Sequence, residues 1–317
     1  MTMIEYKEFK TPSNIKETEN VLSLLGNTFG EEEKELERKQ LSGEEKEFNT
    51  DYLFTAYEDR KLLGNIHLTV NNKNGAFGCL GGLVTVPESR GKGVGKTLFG
   101  KACEYFDVLN GKILFLGTNN EMAARIYQKF GFSFITGTNV MVRVKDGCFF
   151  DFCKEFYSDR EYSITEMDDG CRVPIIPLIV SRGRDMLMDA NANIISTDYA
   201  TQISCTGLYP RFLRIKENGG NIFVAKLNNQ AICAIATVCE KDGKNNVDCF
   251  SYKGYENVLF YMLGRIIKDG KEYSAIIAEK DIEKLKLFES FGFKNISNYD
   301  YSFNGLHIPA YLLERRK

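Results

Sequence analysis

Val84-Thr85-Val86-Pro87-Glu88-Ser89-Arg90-Gly91-Lys92-Gly93-Val94-Gly95-Lys96-Thr97 is the stretch that decides how this 317-residue chain folds. It reads as the end of a strand, a glycine-rich turn and the start of a helix. Backbone amides at a helix N-terminus point outward with partial positive charge, and glycines let an anion approach them closely. Arg90, Lys92 and Lys96 add fixed charge. The segment is therefore an expected anion site, sized for a pyrophosphate.

Two phosphate motifs fail on it. A nucleotide-hydrolysing loop needs G-x-x-x-x-G-K-[ST]. Gly95-Lys96-Thr97 fits the end of that pattern, but Arg90 stands where its first glycine belongs. A dinucleotide fingerprint needs G-x-G-x-x-G, a spacing that Gly91, Gly93 and Gly95 miss.

Upstream, Tyr6 to Phe9 reads as a strand, and Thr11-Pro12-Ser13 opens a helix to about Leu25, capped by Ser13 or Asn14. Glu31 to Phe48 is dense in Glu and Lys and predicts a helix with a solvated face. Asp51–Tyr57 and Lys61–Val70 are strands joined by the turn Glu58-Asp59-Arg60. Phe77–Val86 is a third strand, in which Gly78, Gly81 and Gly82 mark a bulge or a close backbone approach. Downstream, Leu98, Ala102, Phe106 and Leu109 recur at helical spacing. Lys112–Leu116 is an apolar strand, Asn120–Phe130 a second helix, and Phe134–Val144 the last strands. One α/β unit thus ends near Val144.

The second half repeats the first. At a shift of 161 residues, Phe291-Gly292-Phe293 falls on Phe130-Gly131-Phe132, Gly254 on Gly93, and Leu259-Phe260 on Leu98-Phe99. A repeat this long implies one fold used twice. The expected domains are 1–147 and 148–317, with the boundary inside Lys145–Glu161.

Arg90, Gly93 and Gly95 form R-x-x-G-x-G, and with Pro87 and Gly91 the segment resembles the V-x-P-x-x-R-G-x-G-x-G motif of the GNAT acyltransferase family. Thr85 stands where that family often has Val. A second family motif, N-x-x-A-x-x-x-Y-x-x-x-G-F, is matched by Asn120, Ala123, Tyr127, Gly131 and Phe132. The resemblance covers residues 1–145 well and 210–315 weakly. It implies an α/β fold of two GNAT-type domains, each a mixed, largely antiparallel sheet flanked by helices. It also implies acetyl-CoA as co-substrate and an amine, small-molecule or peptide, as acceptor.

By the same resemblance, Val84, Thr85 and Val86 pair their backbone with the pantetheine arm and polarise the thioester oxygen. Amides from Gly91 through Lys92, Gly93, Val94, Gly95 and Lys96, with Arg90 and Thr97 beside them, hold the pyrophosphate. Asn120 and Ala123 line the arm, and Tyr127 protonates the leaving thiolate. Asn120 also suits a helix N-cap, and Tyr127 a core position.

The general base some members carry on the strand before the loop is missing, because Phe77-Gly78-Cys79-Leu80-Gly81-Gly82-Leu83 holds no carboxylate. Glu31 to Glu35, Glu58 and Glu88 are loose candidates, a water relay is an alternative, and His67 is one by residue type alone. No motif points to a covalent acyl-enzyme.

In the second copy Ser251 is expected in place of Arg90, Glu256 of Gly95, Asp281 of Asn120 and Phe288 of Tyr127. A glutamate at a helix N-terminus repels a pyrophosphate, and phenylalanine donates no proton. That copy is expected to keep the fold without the cofactor. The rival reading is a CoA-sensing or interaction protein without turnover; a longer acyl-CoA or an O-acceptor also stays open.

Composition bounds the rest. Forty-one Lys+Arg against 43 Asp+Glu leave no basic footprint for nucleic acid. No apolar run approaches the ~20 residues of a membrane span, and the charged N-terminus predicts no leader. Nine cysteines without a C-x-x-C pair, and only two histidines, predict a reduced, cytoplasmic protein without a metal site. The acid-rich stretch Glu31–Glu47 hints at a cationic acceptor such as a polyamine or aminoglycoside, and homo-oligomerisation stays open.

Overall fold

In this computed structural model the described residues are 3–12, 15–181, 186–197, 205, 207–241, 243–303 and 305–316. The expected Ser13 or Asn14 cap lies outside them. The chain divides into two units: Met1–Ile135 with Asn139–Phe152 and Ile203–Thr206, and Thr136–Thr138 with Cys153–Gln202 and Gly207–Lys317.

The first unit runs β1 (Glu5–Lys10), α1 (Ile15–Phe29), α2 (Glu31–Leu41), β2 (Asn49–Glu58), β3 (Lys61–Asn71), β4 (Phe77–Thr85), α3 (Val94–Val108), β5 (Ile113–Gly117), α4 (Glu121–Gln128), β6 (Ser133–Phe134) and β7 (Val140–Val144). Its seven strands lie in the order β1-β2-β3-β4-β5-β7-β6. Neighbours are antiparallel except β4 and β5. A parallel pair cannot be joined by a hairpin, so α3 makes the crossover.

Side chains alternate across the sheet and give it two apolar faces. Ile66, Leu68 and Val70 of β3 join Phe54, Leu80, Leu98, Phe99, Ala102 and Phe106 under α3 and α4. On the other face Val21, Leu22, Leu25 and Leu41 of α1 and α2 close over Leu53 and Val84. Helix α1 continues four residues past the expected Leu25, to Phe29. Helix α2 stops at Leu41, short of the expected Phe48, and turns carry the chain to β2.

α5 (Phe149–Phe156) leads onward in sequence. The second unit contains β8 (Tyr162–Glu166), α6 (Ile175–Val180), β9 (Met186–Asp189), β10 (Ile194–Thr197), α7 (Leu208–Glu217), β11 (Asn221–Leu227), β12 (Ile232–Lys241), β13 (Lys244–Ser251), α8 (Glu256–Ile266), β14 (Tyr273–Ala278), α9 (Ile282–Ser290), β15 (Lys294–Phe303) and β16 (Leu306–Arg315). Its main sheet, β8-β11-β12-β13-β14-β16-β15, repeats the first order strand for strand, again with one parallel pair, β13 and β14. The β9–β10 hairpin is an addition between α6 and α7. Both units are therefore GNAT-type folds in the expected sense.

Two details of the repeat depart from the letter-by-letter match. Phe99 is buried at 1% exposure, whereas Phe260, its expected counterpart, is 51% exposed. Burial aligns Leu98, Phe99, Ala102, Cys103 and Phe106 of α3 with Val258, Leu259, Met262, Leu263 and Ile266 of α8, a shift one residue smaller. Ser251 is also no counterpart of Arg90. It is the last residue of β13 and pairs with Ala234, as Thr85 ends β4 opposite Gly64. Tyr252–Tyr255 alone connects β13 to α8, where Val86–Gly93 connects β4 to α3. The second copy lacks half of the loop rather than one residue of it.

Candidate functional site

The site is built where β4 leaves β5. The two strands pair only at Phe77, Gly78 and Cys79, opposite Ile113, Leu114 and Phe115. From Leu80 onward β4 is paired with β3 alone, so a wedge opens between the parallel strands. Opposite Ile66 of β3, β4 has two residues, Gly82 and Leu83; this is the bulge the glycines predict. Gly82 takes a φ of +58°, and Asn65 Nδ2 donates to its carbonyl at 2.7 Å. Residues 81–83 are partly exposed, while 77–80 are buried.

Val84 and Val86 do not present their peptides to the wedge. Val86 N donates to Leu63 O at 2.8 Å, and Val84 pairs with Asn65. Antiparallel alternation turns the peptide of Thr85 the other way, where Arg90 Nε donates to its carbonyl at 3.2 Å. The side chain of Val84 is buried under α1.

The loop then enters α3 on Gly93, with φ +84° and no side-chain cap. Gly91 has φ +78°. No atom lies within 4 Å of a Cβ built on either, so the left-handed backbone, and not crowding, requires glycine there. Gly95 is different: a Cβ would meet Thr85 Oγ1 at 3.0 Å, so this glycine brings the helix close to β4. Lys92, Lys96 and Thr97 are exposed around the first turn, and Val94 is buried. Uncapped first-turn amides, open space and three cations fit a pyrophosphate.

Asn120 caps α4, its Oδ1 accepting from Met122 N at 3.0 Å and Ala123 N at 3.2 Å. Ala123 is half-buried, and Tyr127 packs in the core, its ring stacked on Phe99 at 4.4 Å between centroids. Burial pushes the Tyr127 phenol up to about 12, so it holds its proton throughout the neutral range.

Residues 18–132 match the acetyltransferase (GNAT) family. The first unit is a GNAT acetyltransferase domain. The matched residues take in the wedge, the loop and α4. Among solved structures, the chain is similar to an acyl-CoA N-acyltransferase from Pseudomonas aeruginosa (21% identity, 45% of this chain and 100% of that one, TM-score 0.38). Escherichia coli ElaA is similar at 19% identity, 44% and 99% coverage, and TM-score 0.38. A phosphinothricin acetyltransferase from Sinorhizobium meliloti, solved with AcCoA, shares 15% identity over 49% of this chain and 87% of that one, at TM-score 0.37. A comparison with curated proteins gives no match.

The GNAT-type second unit fills the same region from within. Asp281 caps α9 as Asn120 caps α4, and Phe288 packs on Phe293 where Tyr127 packs beside Phe132. Glu256 heads α8, and its Oε1 accepts from Gly254 N at 2.9 Å, occupying an amide beside the helix start. Lys284 stands in the place of Ala123, a substitution the motif comparison passed over. Its buried Nζ pairs with Asp248 of β13 and donates to Met188 O of β9 at 2.9 Å. Asp189 accepts from Thr237 Oγ1 at 2.9 Å and from Ala192 N at 2.8 Å. Burial and the neighbouring Asp248 push the Asp189 carboxyl up to about 7. β13 and β14 pair only at Asn245 and Asn246, opposite Tyr273 and Ser274, and beyond that pairing a buried polar network from α9 and the β9–β10 hairpin converges on Asp248 of β13.

Of the carboxylates offered by the sequence as bases, the side chains of Glu32 and Glu33 lie outside the described residues. Glu31 and Glu35 are exposed and paired with Lys34 and Arg38. Glu58 ends β2, and Glu88 is exposed in the 3-10 turn before the loop. Among the described side chains of α2, the carboxylate that turns inward is Glu37, whose Oε2 lies 2.8 Å from His67 Nδ1. Both side chains are 3% exposed. Among the described residues no group of three or more His, Cys, Asp or Glu is arranged to hold a metal, and no helix is long and apolar enough to cross a membrane.

Proposed function

We propose that the protein is a cytoplasmic N-acetyltransferase that moves the acetyl group of acetyl-CoA to a primary amine. The amine attacks the thioester directly while both substrates are bound. The observation that supports this best is the wedge between β4 and β5 with the glycine loop at its mouth. A pantetheine arm laid in the wedge meets the outward peptide of Thr85, and its pyrophosphate meets the uncapped amides of α3. Tyr127 holds a proton for the sulfur as the carbon–sulfur bond breaks. No metal takes part in this reading. The acceptor is a small molecule or peptide with a free amine.

The second unit then contributes a fold without a cofactor site. The shortened loop, Glu256 and the Lys284–Asp248 pair support that assignment.

Thiol release from acetyl-CoA, followed against polyamines, aminoglycosides, amino acids and peptides, tests the reading. At least one amine class is expected to raise thiol release well above the hydrolytic background, with a matching gain of one acetyl group in the acceptor's mass. Coenzyme A binding with no turnover on any amine would instead support a sensor.

A further inference from the structure

The proposed reaction needs a group to take the acceptor's proton, and the strand that supplies it in some related enzymes has none here. The geometry points to His67, oriented by Glu37, as that group. This inference rests on the acetyltransfer reading above.

His67 lies on β3 directly opposite Gly81, on the α1–α2 face of the sheet. A Cβ built on Gly81 would stand 2.7 Å from His67 Cε1, 3.2 Å from Nε2 and 3.4 Å from Nδ1. One on Gly82 would stand 3.3 Å from Nδ1 and 3.4 Å from Glu37 Oε1. The imidazole edge carrying both nitrogens is therefore turned onto the glycine bulge, which only a strand without side chains at these positions permits. The bulge sits where β4 has left β5 and its residues become partly exposed. Gly81 and Gly82 are thus the backbone that the ring packs on, at the point where β4 is no longer paired with β5.

Glu37 comes from α2 and approaches Nδ1, so Nε2 is the nitrogen left facing along Gly81. A carboxylate beside one ring nitrogen stabilises the imidazolium that forms when the other accepts a proton. Among the described residues, the neighbouring strands carry on this face Asp51 of β2, which accepts from the Thr69 hydroxyl, and the Cys79 thiol of β4, whose Sγ lies 3.5 Å from Cys205 Sγ.

The acceptor's ammonium gives one proton, through a single water at the bulge, to His67 Nε2. The freed lone pair forms the new bond to the thioester carbon. The carbon–sulfur bond breaks with its electron pair on sulfur, which takes the proton of Tyr127. The new amide nitrogen gives up its second proton, which reprotonates the Tyr127 phenolate through water, and the imidazolium returns its proton to solvent, so each transfer releases one proton. Glu37 acts through His67 and is a positioning residue.

The test compares wild type, His67→Gln and Glu37→Gln in kcat/KM against pH, with coenzyme A affinity and circular dichroism measured in parallel. Wild type without turnover on any amine would overturn the acetyltransfer reading itself. With wild type active, His67→Gln is expected to lose about 10²-fold near neutral pH. Its acid limb should vanish, and the loss should shrink at high pH, where the amine is already neutral. Glu37→Gln is expected to displace the same limb with a smaller loss. A folded His67→Gln that binds coenzyme A and keeps the wild-type profile within twofold would overturn the inference. Should His67→Gln fail to fold, an unmoved limb in Glu37→Gln would overturn it equally.

Discussion

Replacing Tyr127 with Phe is expected to cut turnover by about 10²–10³-fold while leaving coenzyme A affinity within about twofold. The ring is held by its stack on Phe99 and by the core under α3, and phenylalanine fills the same volume. Only the hydroxyl proton is removed. Burial has already pushed that phenol up to about 12, so no limb of the pH profile below this value belongs to it. The signature is a fall in kcat with unchanged KM for acetyl-CoA, read by single-turnover thiol release. An acetyl donor with a more acidic leaving thiol should recover part of the loss. An unchanged rate would remove Tyr127 from the chemistry and leave it as packing.

Lys284→Met is expected to destabilise the second unit by about 3–5 kcal/mol, because it leaves Asp248 buried without its cation. The effect should depend on pH. Asp189 is held at about 7 in the folded protein by burial and by Asp248, above the ordinary carboxyl value of about 3.9. A raised carboxyl contributes stability that is full below the unfolded value and is lost as pH rises through the folded one. The wild-type second unit should therefore weaken between about pH 4 and 7. The variant should weaken more steeply, since Asp248, also raised by burial, then has no ammonium beside it. Adding Asp248→Asn should recover most of the loss, because the amide oxygen can still accept from Ala190 N. Hydrogen exchange read by mass spectrometry over β12 and β13 locates the change. A variant as protected as wild type at pH 8 would show that the pair contributes nothing.

The parts legible in the sequence are those set by local backbone demands. Gly91 and Gly93 adopt positive φ with no side chain crowding them, so their spacing, read together with Pro87 and Arg90, identifies the loop. Asn120 and Tyr127 likewise follow from a cap and a helical repeat. What escaped was set by tertiary packing. The one-residue register change in α8 is invisible in matching letters and plain in which residues are buried. Glu37 was hidden in a run of carboxylates, of which Glu31, Glu35, Glu44 and Glu47 meet solvent. Its single signal was the four-residue spacing to Leu41, which places both on the inward stripe of α2. Lys284 could have been found by comparing every position of the second motif, since a lysine where the first copy has alanine cannot leave the same space. His67 was noted by type alone, because only the strand register puts it against Gly81.

The central claim is one fold used twice with a single working cofactor site. Calorimetric titration of the full chain with coenzyme A tests it most directly. One molecule per chain is expected, with binding lost in Gly93→Val, whose side chain opposes a φ of +84° although its Cβ meets no neighbour, and kept in Glu256→Gln. Two molecules per chain, or binding that survives Gly93→Val, would contradict the account.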